Sequence, residues 1–379
     1  MKRIFSIVIT IFMLFSVLIT PVFAVKLNET KFDLNAKSVV LMDVNTKTIL
    51  YEENPQLPLP PASVTKIMTL LLVFEAIEDG KLSYDDILTV SENAASMGGS
   101  QVFLEPGEKM KVDELLKCVV ISSANDAAVT LAEHVGGSEE AFISMMNKKA
   151  GELGMKNTNF ENATGLDDDA INHLTSAKDI AIMSCELLKY EKVTKYATTW
   201  MDTIRDGAFG LTNTNRLVRY YNGVTGLKTG YTSSAGYCLS ASAKRDGLHL
   251  VAVVMGAESS SERNAIASKL LDFGFANYSV YTEKDYNAEI CVYGGKKDKI
   301  NIRYNEFNAL VNKENEKLIS KEIQLSDHLT APIKSNEVVG KVIYKYNNEI
   351  VGESNIIACE GVEKITIFEY ILKIIKNLF

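Results

Sequence analysis

The chain has 379 residues, 46% of them hydrophobic and 23% charged. This is ordinary globular usage, outside the disordered, collagen-like and coiled-coil ranges, and long enough for two domains. Forty Lys and Arg stand against 48 Asp and Glu, a net charge of -8, which argues against a nucleic-acid binder, since such a protein draws most of its affinity from a basic face.

Met1 to Ala24 reads as a secretory signal: Lys2 and Arg3 lead, an apolar run covers Ile4 to Ile19, and Val22-Phe23-Ala24 offers small residues at a cleavage site after Pro21. An uncleaved membrane anchor is the second reading, set behind because the apolar run is short. Cleavage leaves 379 − 24 = 355 residues with a net charge of 38 − 48 = -10. Such a protein works outside the cytoplasm or on the outer face of the cytoplasmic membrane.

Ser38 to Asp43 and Thr48 to Glu52 read as a hairpin around Val44-Asn45-Thr46-Lys47. Asn54 to Pro61 is a proline-rich loop. Ser63 to Ile77 has apolar residues at helical spacing. Asp113 to Val135 is helical but interrupted at Ser122-Ser123-Ala124-Asn125, and Ser138 to Leu153 and Ser176 to Leu188 are further helices. Leu227-Lys228, Tyr237 to Lys244 and Leu248 to Gly256 read as strands, and Ser261 to Phe273 as a closing helix. Strands at both ends with helices between them point to one α/β domain whose sheet pairs distant segments.

Beyond about Asn277 the pattern turns to short strands: Ala288 to Tyr293, Ile300 to Tyr304, Val338 to Tyr346 and Ile350 to Ala358. Val362 to Phe379 returns to helical periodicity. At about 100° per residue, Ile365, Phe368, Ile371, Leu372 and Ile375 fall on one side, and Glu369, Lys373 and Lys376 on the other. The predicted division is therefore residues 1–24 signal, 25–276 catalytic domain, 277–361 β domain and 362–379 a membrane-associating amphipathic helix.

The chain has five cysteines, an odd and widely spaced set with no C-x-x-C, and four histidines with no H-E-x-x-H. Neither a metal site nor a disulfide framework is indicated, and no cofactor is called for. Cys118 and Cys238 lie in apolar runs and read as small core residues.

Ser63-Val64-Thr65-Lys66 is the single Ser-x-x-Lys of the chain. Three residues apart at a helix start, Lys66 lies one turn from Ser63 on the same face. A serine hydroxyl is a weak nucleophile and needs a base. A lysine can be that base if burial or a neighbouring cation brings its pKa down. Alone, such a motif is more often a helix cap followed by a solvated lysine. Two further elements accompany it. Ser123-Ala124-Asn125 offers a hydroxyl and an amide between apolar flanks; Ser91-Glu92-Asn93 fits the same loose pattern without those flanks. Lys228-Thr229-Gly230 adds a second cation, and Gly230 permits close approach of a substrate backbone.

In this order the three elements resemble the serine penicillin-recognising acyltransferases. The contexts Pro61 to Thr69, Ser122 to Ala127, Asn162 to Asp168 and Gly226 to Thr232 resemble the D-alanyl-D-alanine carboxypeptidases among the low-molecular-mass penicillin-binding proteins. The likeness covers about Lys37 to Phe275. It implies an α/β penicillin-binding, β-lactamase-like fold, an antiparallel sheet with flanking helices and a helical subdomain, followed by a small β domain and a C-terminal amphipathic helix. It implies Ser63 as the acylated nucleophile, Lys66 as its base, and Ser123 and Lys228 as proton relays. Asn125 would hold the substrate amide and Thr229 the terminal carboxylate, with the backbone N–H groups of Ser63 and Tyr231 as the oxyanion hole. Arg263 stands where the family often has a carboxylate-binding arginine. The partners implied are peptidoglycan stem peptides ending in D-Ala-D-Ala, β-lactams as covalent inhibitors, and a membrane surface. His173 lies in a segment resembling a structural turn of that family and is read as structural. The alternatives are a β-lactamase, for which Glu161 lacks an Asn four residues on, and a non-catalytic wall-binding or penicillin-sensing protein.

Overall fold

A computed structural model describes residues 31–166, 171–284, 286–326, 329–346 and 348–378. The signal segment, Asp167 and Asp168, His328 and Phe379 lie outside the described residues. The described chain divides into two compact units between Ser279 and Val280.

The first unit opens with the hairpin β1 (Ser38–Asp43) and β2 (Ile49–Glu53). Its turn is closed by Asp43, whose carboxylate accepts from the N–H and Oγ1 of Thr46. A 3-10 turn, Ala62–Thr65, runs into α1 (Lys66–Glu78). Next come β3 (Ile87–Thr89), α2 (Glu92–Ala95), β4 (Lys109–Lys111), α3 (Val112–Ile121), α4 (Asn125–Gly136) and α5 (Glu139–Glu152). After them stand α6 (Ala177–Leu187), α7 (Glu191–Ala197) and the hairpin β5 (Met201–Ile204), β6 (Phe209–Thr212). The unit closes with β7 (Val224–Thr232), β8 (Gly236–Arg245), β9 (Leu248–Ala257) and α8 (Ser260–Asn277).

The main sheet has the order β2-β1-β9-β8-β7 and is antiparallel throughout. Val39 faces Val254 across β1 and β9, which joins residues from the two ends of the unit, as the sequence pattern indicated. Its inner side and the helices share one apolar core, in which α1 is buried along most of its length. That burial comes from a nearly continuous apolar run, Ile67 to Phe74, which leaves room on this helix for very few polar side chains. Cys118, Cys185 and Cys238 are buried in the core, Cys291 and Cys359 are exposed, and all five are free thiols.

β10 (Tyr278–Glu283) runs across the boundary, and the second unit continues with β11 (Tyr286–Cys291), β12 (Lys299–Tyr304), β13 (Phe307–Asn312), β14 (Ile319–Leu325), β15 (Val338–Tyr346) and β16 (Glu349–Ala358). Five of them form a sheet in the order β11-β12-β16-β15-β14. The final helix, α9, spans Ile367–Leu378. It begins later than the helical periodicity suggests: Val362 is buried in the β core and bridges Ile333, and Lys364 bridges Gly295.

Candidate active site

Ser63 lies in a 3-10 turn, Ala62–Thr65, rather than in the first turn of an α-helix, and Lys66 closes that turn and opens α1. In that geometry residues three apart eclipse, and Lys66 Nζ comes to 2.8 Å from Ser63 Oγ. The turn is entered through Ala62 at φ 49, a left-handed conformation uncommon for a residue with a Cβ. Gly165 backs it closely: a Cβ there would lie 1.9 Å from the Ala62 carbonyl oxygen.

Lys66 has no exposed surface. Its Nζ also lies 2.9 Å from the carbonyl oxygen of Thr164. That carbonyl can only accept, so it takes an N–H of Lys66 and leaves the lone pair of a neutral amine free for the Ser63 hydroxyl. Burial, and next the charge of Lys228, hold Lys66 well below the usual lysine range, while Asp126 opposes the shift. The Thr164 carbonyl is aimed by an Asn162 turn. Asn162 Oδ1 accepts from the N–H groups of Thr164 (3.1 Å) and Gly165 (2.6 Å), and its Nδ2 donates to the Leu166 carbonyl.

Ser123 sits between α3 and α4 at φ 65, the second strained non-glycine residue of the site. Its Oγ accepts from Lys228 Nζ at 2.8 Å. Lys228, on β7, is 1% exposed, and burial together with the charge of Arg263 pushes it down to about 7. Asn125 opens α4; its Nδ2 donates to the Gly98 carbonyl at 2.7 Å and its N–H to the Ser100 carbonyl. Asn125 Oδ1 is buried and unpaired among the described residues, an acceptor suited to an amide N–H. Ser91, by contrast, only caps α2 through the Ala94 N–H.

Thr229 Oγ1 donates to Thr214 Oγ1 at 2.7 Å. Arg263 is 5% exposed, donates to the Cys238 carbonyl and to Asn264, and burial brings it down to about 10. Tyr231 is exposed and packs on Tyr237 with ring centroids 4.3 Å apart. Gly230 has a close neighbour within the protein: a Cβ there would lie 2.9 Å from the Pro61 carbonyl oxygen and 3.0 Å from Ser63 N. The close approach is between β7 and the turn that carries Ser63.

His173 is buried and structural. Its Nδ1 accepts from the Glu161 N–H at 3.0 Å, so the ring proton is assigned to Nε2, which donates to Thr65 Oγ1 at 2.8 Å. Glu161 is exposed, and its carboxylate accepts from the Asn172 N–H.

Ser63 and Lys66 form one short contact and Ser123 and Lys228 another, the charge of Lys228 acts on Lys66, and Asn125 follows two residues after Ser123. A profile described as D-alanyl-D-alanine carboxypeptidase matches residues 24–259. The chain belongs to the D-alanyl-D-alanine carboxypeptidase family. A second profile, the C-terminal domain of penicillin-binding protein 5, matches residues 275–364. The chain is 47% identical over 337 residues to the D-alanyl-D-alanine carboxypeptidase DacF of Bacillus subtilis (strain 168), covering 87% of this chain and 86% of that one. It resembles the crystal structure of penicillin binding protein 5 from Haemophilus influenzae with a TM-score of 0.72 and 32% identity, over 89% of this chain and 100% of that one. Penicillin-binding protein D2 of Listeria monocytogenes in its ampicillin-bound form matches at TM-score 0.60 and 32% identity, over 65% of this chain and all of its own.

Sequence reading overlooked four contributors: the Thr164 carbonyl, Asp126, Thr214 and Gly98. Asn162-Ala163-Thr164-Gly165 carried a usable signal, because an Asn three residues before a Gly is a common side-chain-closed turn. The others act through a buried carboxylate, a single hydroxyl or a backbone carbonyl and carry no spacing signature.

Proposed function

We propose that this serine-type D-Ala-D-Ala carboxypeptidase of peptidoglycan metabolism works through an acyl-enzyme on Ser63. The observation that carries the assignment is the 2.8 Å contact between Ser63 Oγ and a fully buried Lys66. Neutral Lys66 takes the hydroxyl proton as Ser63 Oγ bonds to the carbonyl carbon between the two D-alanines. The N–H groups of Ser63 and Tyr231 receive the oxyanion. As the C–N bond breaks, Lys228 passes a proton through Ser123 to the leaving amine, and D-alanine departs. Water then hydrolyses the ester and frees Ser63. Asn125 Oδ1 accepts from the amide N–H of the acyl part, and Thr229 and Arg263 take the terminal carboxylate. Release of D-alanine from diacetyl-Lys-D-Ala-D-Ala tests this reading. Fast penicillin hydrolysis without that release would point to a β-lactamase, and stable acylation without it to a sensor.

The same reading divides the chain into residues 25–276 as peptidase, 277–361 as β domain and 362–379 as the tail. It places the enzyme outside the cytoplasm, at the outer face of the membrane. No helix among the described residues is long and apolar enough to cross a membrane. α9 is instead suited to lie on one. Ile367, Phe368, Ile371 and Ile375 are exposed, while Glu369 pairs with Lys296 and Lys373 with Asp298 inside the β unit. Thr366 and Glu369 form a capping box that fixes the start of the helix. With its polar side engaged, the apolar side is left for the acyl boundary. Truncation after Thr366, which keeps Val362 in the β core, should move the mature protein to the soluble fraction with D-alanine release from small peptides unchanged. Continued sedimentation with membranes would assign anchoring to another segment.

A further inference from the structure

Arg205 stands in the turn between β5 and β6, at φ 53, and its guanidinium makes four short contacts. Nε and Nη2 grip the Glu108 carboxylate at 2.7 and 3.0 Å, Nη1 donates to the Val102 carbonyl at 2.9 Å and Nη2 to the Phe103 carbonyl at 3.0 Å. Its own N–H donates to Glu114. This planar fork satisfies two neighbouring carbonyls and a carboxylate together, which a lysine cannot do.

The same stretch of backbone is held from its other side. The N–H groups of Val102 and Leu104 both donate to Asp126 Oδ2 at 3.0 Å. Asp126 is fully buried and directly follows Asn125, and the loop that includes Val102 also supplies the Gly98 and Ser100 carbonyls that bind Asn125. The loop is therefore pinned between Arg205 and the start of α4. Phe103 at its centre is left-handed, at φ 56, and exposed, a conformation that persists only where the surroundings enforce it.

We infer that Arg205 is a positioning residue for the amide-binding Asn125, acting through the loop 98–104 and Asp126. It touches no substrate. Removing the fork frees two carbonyls and the Glu108 charge, lets the loop relax, and shifts the carbonyls and N–H groups that orient Asn125 and Asp126. The acyl-side amide of the ligand then meets a misplaced Oδ1. This inference rests on the proposed role of Asn125 in holding that amide.

The test compares acylation rates for two β-lactams with the full mature protein. Benzylpenicillin has an acylamino side chain, and 6-aminopenicillanic acid has a bare amine in its place. Acylation of the wild type by both ligands, and collapse of the rate ratio in Asn125→Ala, report on the underlying reading. Arg205→Ala is expected to lower the ratio of benzylpenicillin to 6-aminopenicillanic acid by up to about tenfold, the upper scale of one lost hydrogen bond between neutral groups. Arg205→Lys should fall between, and in an Asn125→Ala background Arg205→Ala should leave the ratio where it is. If Arg205→Ala does not fold, Arg205→Lys carries the comparison with a smaller fall, and an unchanged ratio overturns the inference. Equal losses with both ligands, or a further fall of the ratio in the Asn125→Ala background, would likewise overturn it while leaving the Asn125 assignment standing.

Discussion

Lys66 Nζ stands 2.8 Å from Ser63 Oγ while no part of Lys66 reaches solvent. An ammonium group in such a place is disfavoured, and the buried Lys228 behind Ser123 disfavours it further. The fold thus keeps two lysines where neither is comfortable when charged, and the chemistry of the site follows from which of them holds the proton.

Lys228 carries a cost to stability. Its pKa is about 7 in the fold, against about 10.4 in an unfolded chain. Below pH 7 both states are protonated and the fold bears the full penalty of a buried charge. Between 7 and 10.4 only the unfolded state keeps the proton, so the penalty shrinks as pH rises. Lys228→Met should therefore be inactive yet more stable at pH 7, by roughly 2 kcal/mol once its lost contacts with Ser123 and Thr229 are set against desolvation. Melting curves at pH 7 and pH 9.5 check this, with the gain smaller at the higher pH. A variant that melts lower at pH 7, or gains equally at both, would contradict the burial argument.

Arg263 lowers Lys228 through its charge. If protonated Lys228 supplies the proton for the leaving amine, its loss sets the alkaline limb of kcat/KM. Arg263→Gln removes the repulsion, raises Lys228, and should move that limb upward in pH. KM for peptides should rise as well, since the carboxylate loses a partner. A limb that stays in place or moves down would separate Arg263 from Lys228.

Gly230→Ala should slow acylation by at least about tenfold, a displacement of the nucleophile being that costly. The new Cβ would press on the Pro61 carbonyl oxygen at 2.9 Å, Ser63 N at 3.0 Å and Ala62 Cβ at 3.1 Å. These are backbone and near-backbone atoms of the turn holding Ser63, so the loss should appear in kcat more than in KM. Unaltered acylation would mean that β7 can yield.

The site was legible where chemistry follows local spacing. Ser63 and Lys66 are three residues apart, and Lys228 is followed by Thr229 and Gly230, so each could be found in a short window. The Thr164 carbonyl is signalled only indirectly, by the Asn162-to-Gly165 turn that aims it, and its meeting with Lys66 from 98 positions away is visible only in three dimensions. A further constraint on Gly230, from the turn before Lys66, is visible only in three dimensions. Arg205, followed by Asp206 and Gly207, has the appearance of a solvated turn arginine. In the fold, the main sheet is legible because β9 is a nearly continuous apolar run and β8 a run of apolar and small residues, the two joined by a short turn. β14 was missed because Ile319 to Leu325 is an edge strand, mostly exposed and carrying Lys321 and Glu322, with little apolar alternation to reveal it. The tail read as helical from Val362, but tertiary packing takes Val362 into the β core and delays the helix to Ile367.

Ser63 is proposed as the acylated residue, with Lys66 as the base that activates it. Mass spectrometry of the mature protein after brief exposure to benzylpenicillin measures this most directly. The adduct should map to the peptide containing Ala62 to Lys66, be absent in Ser63→Ala, and form at least about a hundredfold more slowly in Lys66→Ala, the range of a lost general base. An adduct on any other serine, or labelling that persists in Ser63→Ala, would contradict it.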